Sequence, residues 1–168
     1  MMRLPVPPDP GPIEHLIYRR PFQGGIAGGN GLHGTKSTLG MVVYDTSGWP
    51  YLIHNAHGNT NWSPGSIGDP VLQPPEEYGG TLPEALIARI AATSPAPTAL
   101  YSDGVWVTES DFTLSKFLKE EDASRGILGL GIQSGIWRHP STLQIGERVW
   151  KSGRRTGVTT GTIRGFDQ

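Results

Sequence analysis

Apolar residues in this chain come in short runs broken by glycine, proline and small polar residues. In "TLGMVVYDTSGWPYLIHNAH" two apolar runs flank a turn at Thr46-Ser47-Gly48-Trp49-Pro50, which is the signature of a β-hairpin. Further strands are predicted at 69–74, 85–93, 111–115, 126–132, 147–153 and 159–166, with turn residues between most of them. Short strands at this spacing predict a barrel or a sandwich. Two segments also fit a helix: "PEALIARIAA" is rich in helix formers, and "ESDFTLSKFLKEED" would be capped by Ser110. Propensity leaves both open. No period of 20–50 residues repeats, which excludes solenoids and propellers.

Composition agrees with many turns and few long helices. The 168 residues include 24 Gly and 15 Pro, and 36% are hydrophobic, about one domain's worth of chain. The opening "MMRLPVPPDPGP" reads as a stiff, polyproline-like arm outside the core. "GGIAGGNGLHGT", 24–35, lacks the Gly-Lys-Ser/Thr of a phosphate-cradling loop and is expected to be a flexible loop. The net charge is −1 and the basic residues form no run, so neither nucleic acid nor an anionic membrane is an expected partner. With no cysteine, disulfides, thiolate nucleophiles and cysteine metal sites are excluded. The first residues hold no apolar signal-peptide core, and no stretch of about eighteen apolar residues occurs. The expectation is a chain without a membrane span, cytoplasmic or in a particle assembled there.

Candidate chemistry centres on "YLIHNAHGNT", where an apolar strand run delivers His54 and His57 into a polar turn. Such a histidine can be a metal ligand, a general base or a polar turn residue. On an extended strand, positions three apart face opposite ways, so His54 and His57 share a metal only if the chain bends. His33 is the one nearby third candidate, and neither a metal nor a cofactor is expected. A base requires an orienting acid. "TESDFTLS" offers Asp111 beside apolar Phe112 and Leu114, although an aspartate here also fits a turn or a helix cap.

"GTKSTLGMVVYDTSGWPYLIHNAHGN", "IGDPVLQP", "SDFTLS", "ILGLGI" and "IGERVWKSGRRTGVTTGTI", taken in order, resemble the bacterial trypsin-like serine peptidases of the chymotrypsin fold. The likeness spans roughly residues 22–165 and is most specific in "KSGRRTGVTTGTI", which departs from the usual pattern mainly at Arg155. It implies an all-β, chymotrypsin-like antiparallel β-barrel, with His57 as catalytic base and Asp111 as its orienting acid. The implied organisation is an arm at 1–21, a first barrel carrying the His and Asp at 22–125, and an inter-barrel segment with the opening hairpin of a second barrel at 126–168.

Two features depart from that family. His54 stands where Ser or Thr is usual, close to the expected position of the carboxylate, and a large imidazole there is expected to distort or re-tune the pair. No Gly-Asp-Ser-Gly segment occurs. The Ser-Gly pairs after Asp111, Ser134-Gly135 and Ser152-Gly153, lack a glycine two residues before the serine and read as turn serines. The resemblance therefore implies peptide hydrolysis only when a separate Ser-bearing segment completes the site. The alternative is a catalytically inactive, protease-derived component of an assembly. Either way the expected partners are a protein or peptide substrate or a complementing chain in a hetero- or homo-oligomer. Val149, Trp150, Ile163 and Phe166 are expected on the open edge.

Overall fold

The computed structural model describes residues 11–60, 67–94, 111–134 and 138–165, together with the backbone of 100–102 and 105–107. The described strands are β1 (Ala27–Asn30), β2 (Ser37–Thr38), β3 (Met41–Tyr44), β4 (Pro50–His54), β5 (Pro70–Leu72), β6 (Leu86–Thr93), β7 (Leu100–Ser102), β8 (Val105–Val107), β9 (Thr113–Phe117), β10 (Gly126–Ile127), β11 (Gly131–Ile132), β12 (Arg148–Gly153) and β13 (Gly157–Thr162), with one short helix, α1 (Ala56–Thr60). The fold is all-β, and its main body is a seven-stranded antiparallel sheet in the order β2-β1-β5-β6-β9-β4-β3.

That order explains how the sheet curls into a barrel. Its two end strands, β2 and β3, are separated in sequence only by Leu39 and Gly40, so they are two halves of one bent strand. The first half pairs with β1, and the pairing continues through Leu39 N–H to the Ile26 carbonyl at 2.8 Å and Gly25 N–H to the Leu39 carbonyl at 2.8 Å. The second half pairs with β4. The bend requires glycine: a Cβ at position 40 would run into the carbonyl oxygen of Ile53. The β3–β4 turn is built as its sequence suggests. Asp45 Oδ1 accepts the backbone N–H groups of Ser47 and Trp49, both at 2.9 Å, and Gly48 takes the left-handed conformation.

Inward-facing side chains of the strands and of the residues that flank them fill the barrel. Phe22, Ile26, Leu39, Leu52, Val71, Ile87, Ile90 and Phe117 are all buried in one cluster, where the Phe22 and Phe117 rings meet tilted with centroids 5.8 Å apart.

Two expectations change. The glycine-rich 24–35 segment is not simply a loop, because it contains β1. Gly28 and Gly29 lie where a Cβ would strike the Leu39 side chain and the Thr35 carbonyl, so glycine there serves close packing of backbone. The strands expected at 85–93 and 111–115 are present as β6 and β9: β6 pairs with both β5 and β9, and sheet pairing overrides the helix formers. Residues 126–132 form two short strands around a turn at 128–130, since Gly129 and Gly131 both have positive φ. The amino-terminal segment also contributes to the core, with His15 and Leu16 buried, while Ser110 and Phe166 lie outside the described residues.

Beyond the barrel, β12 and β13 form a separate two-stranded ribbon. Its turn docks on the barrel, with Arg154 N–H donating to Thr38 Oγ1 at 3.1 Å and the Arg154 guanidinium donating to the Tyr78 hydroxyl at 3.2 Å. Away from that turn it stands in water: Val149 is 44% and Trp150 54% exposed, and Ile163 is half-buried.

Because Gly40 faces the Ile53 carbonyl, Gly40→Ala should destabilise the barrel by about 2–3 kcal/mol, as overpacking does. Urea unfolding followed by tryptophan fluorescence measures this, and an unchanged midpoint would show that the bend accommodates a Cβ.

Candidate functional site

Strand alternation and a one-turn helix send the two histidines of "YLIHNAH" to opposite sides. In β4 the residues Pro50, Leu52 and His54 face inward, so the His54 ring is driven into the interior. Asn55 ends the strand and α1 begins at Ala56, which turns His57 outward. α1 lies close to β2 because residue 58 is glycine: a Cβ there would come within 2.6 Å of Ser37 Cβ. Thr60 Oγ1 closes the turn by donating to the Ala56 carbonyl at 2.8 Å.

Asp111 approaches from just before β9. Its place is fixed by reciprocal bonds of its neighbour: Ser94 N–H donates to the Phe112 carbonyl at 2.8 Å, and Phe112 N–H donates to Ser94 Oγ at 3.2 Å. The carboxylate then gathers three N–H donors. Oδ1 accepts the backbone N–H of His57 at 2.9 Å, while Oδ2 accepts the His57 ring Nδ1–H in a short bond and the Asn55 amide at 3.2 Å. Burial on its own would raise the Asp111 pKa, but the His57 backbone and ring bonds, the Asn55 bond and the charge of His57 together hold it below the ordinary carboxylate value. The His57 side chain is 53% exposed against 18% for Asp111. A ring anchored through Nδ1 on a sheltered carboxylate has a fixed tautomer, which suits proton transfer at Nε2.

The ring of His54 bonds elsewhere but still feels the charge of Asp111. It sits directly across from Thr113 in the β4–β9 ladder, and its Nε2 accepts from Asn59 Nδ2 at 3.1 Å with Ser115 Oγ also 3.1 Å away. With the Asn59 amide donating to Nε2, the ring proton resides on Nδ1. His54 Nδ1, Asn59 Oδ1 and Thr113 Oγ1 are buried without a hydrogen-bond partner. Burial, opposed weakly by the charge of Asp111, lowers the His54 pKa from 6.5 to about 4, so the imidazole is neutral under ordinary conditions. His33 pairs with Asp69 at 3.3 Å and is not drawn to His54 or His57. Ser134 is exposed and Ser152 half-buried. Ser152 is a strand residue of β12, not a turn residue, with its hydroxyl packed against Gly25.

No protein-family model matches this chain, and no curated protein does.

Asn55, Asn59 and Ser115 were not singled out by sequence. Ser115 could have been found from the inward phase of β9, which runs Thr113, Ser115, Phe117. Nothing in the sequence marks Asn59 as a partner of His54.

Two expectations follow. Between pH 6.5 and about 4 the unfolded chain protonates His54 while the folded protein does not, so stability falls as the pH falls through that window. The full loss is about 3 kcal/mol. The contribution of Asp111 has the opposite origin, being present above pH 3.8 and lost only as the pH drops further. Urea midpoints of wild type and His54→Gln across pH 4–7 test this: the variant should be flatter, and parallel curves would contradict a buried neutral His54. Separately, Gly58→Val should push α1 off Ser37 and loosen the His57–Asp111 bond, seen as faster exchange of the His57 amide proton. Unchanged protection would contradict the packing argument.

Proposed function

We propose that this chain supplies the general base, His57, and its orienting acid, Asp111, for acyl transfer of the trypsin-like serine endopeptidase type, with the nucleophile provided by a separate Ser-bearing segment. The observation that carries the proposal is the triple anchoring of Asp111 by the His57 backbone, the His57 ring and Asn55. That arrangement presents the imidazole half-exposed, in the tautomer that a base acting on a hydroxyl requires. The sequence likeness around His57, Asp111 and "KSGRRTGVTTGTI" supports the same reading, as does the barrel that brings β4 and β9 together. The substrate class would be a peptide bond. Its specificity would rest on walls that the completing segment provides.

A second reading is favoured by the β12–β13 ribbon, which leaves Val149 and Trp150 in water. A protease-derived scaffold whose ribbon binds another chain needs no nucleophile at all.

The test is to purify the protein with whatever chain accompanies it, react the complex with a fluorophosphonate, and assay peptide hydrolysis. The proposal expects labelling on the companion chain, and a loss of roughly 10⁴-fold in turnover for His57→Ala and for Asp111→Asn. Labelling of Ser134 or Ser152 in this chain, or full hydrolysis by His57→Ala, would overturn it.

A further inference from the structure

We propose that the outer edge of β12 is a docking site for an extended acidic segment of another protein, which adds to the ribbon as a third strand. The backbone comes first. Ile163 N–H donates to the Glu147 carbonyl at 3.0 Å, and the ladder continues with Val149 opposite Gly161 and Lys151 opposite Thr159. By antiparallel alternation, Val149 and Lys151 direct their backbone groups at β13, whereas Arg148 and Trp150 direct theirs outward, the open edge ending where Ser152 packs against Gly25. Among the described residues neither of these two outward positions has a backbone partner beyond the ribbon. A two-stranded ribbon with both faces in water is marginal by itself, and a third strand is the ordinary remedy.

Charge then selects the occupant. From 143 to 165 the basic residues are Arg148, Lys151, Arg154, Arg155 and Arg164, and the one acid, Glu147, is already engaged by Arg138 at 2.7 Å. A chain of net charge −1 thus concentrates positive charge on this ribbon. Along β12 the exposed order is Arg148, Val149, Trp150, Lys151, with the Arg148 guanidinium 5.9 Å from the Trp150 ring centroid. An added strand in register is best matched by acid, apolar, apolar, acid, because cross-strand neighbours share a face. The match holds for either strand direction. A second copy of this chain would bring the same excess of basic residues, with its one acid already engaged by Arg138, to a cationic edge. Nucleic acid would meet the charge but leave the outward N–H and C=O row of β12 unused.

The site is separate from His57 and Asp111, so the test does not depend on them. The probe is a synthetic peptide centred on Glu-Val-Ile-Glu, titrated into the ¹⁵N-labelled protein at low ionic strength. The expected result is shifts confined to amides around 148–152. Arg148→Glu with Lys151→Glu should weaken binding by about tenfold or more, and a Lys-Val-Ile-Lys peptide should restore it in that variant. N-methylation of the peptide's ladder amides should abolish binding in both pairs. The proposal is overturned if the peptide does not bind, if charge reversal or N-methylation has no effect, if the chain dimerises through β12, or if a single-stranded oligonucleotide displaces the peptide from the same amides.

Discussion

The carboxylate of Asp111 holds the site together. It lies where the end of β4, the first turn of α1 and the approach to β9 converge, and it takes hydrogen bonds from Asn55 and from both the backbone and the ring of His57. A carboxylate with three donors is stabilised in its charged form even when largely sheltered, because bonds to the anion outweigh the cost of desolvation. The barrel exists in part to make that meeting possible. Gly40 lets one strand bend and close the sheet, β4 and β9 run side by side, and Gly58 seats α1 close to β2.

The two histidines of the same short segment show how backbone geometry assigns chemistry. His54 follows the inward phase of β4 into a buried cluster with Ser115 and Asn59, where an uncharged ring is the stable form. His57, one helical turn begun, is half in water and tied to an anion. One segment thus holds one imidazole neutral in the interior and another at the surface without a change of residue type. The cost is a set of buried polar atoms without partners around His54, and it falls on the layer below the pair.

Much of this was legible in sequence, for definite reasons. The β3–β4 hairpin was readable because Asp45, Ser47 and Gly48 encode its turn locally. The pairing of His57 with Asp111 was readable only through resemblance, since nothing in their spacing dictates contact. β1 was not readable: Gly28 and Gly29 have no side chains to show a period, and their role appears only when Leu39 and Thr35 are packed against them. The segment at 85–93 was ambiguous because Ala, Leu and Ile suit both states until β5 and β9 flank it. The partners of His54 were not readable, because Asn59 and Ser115 reach its ring only once β4, α1 and β9 are assembled. An inward-facing imidazole can be large without touching the carboxylate.

The central claim is that Asp111 fixes the tautomer and orientation of His57. Long-range ¹H–¹⁵N NMR of the histidine rings, recorded for wild type and Asp111→Asn, tests it most directly. The account predicts that wild-type His57 carries its proton on Nδ1 with a strongly downfield, hydrogen-bonded resonance, and that Asp111→Asn abolishes that resonance while leaving the His54 signals in place. A His57 ring with the tautomer balance of free imidazole in wild type, or one indifferent to Asp111→Asn, would contradict it.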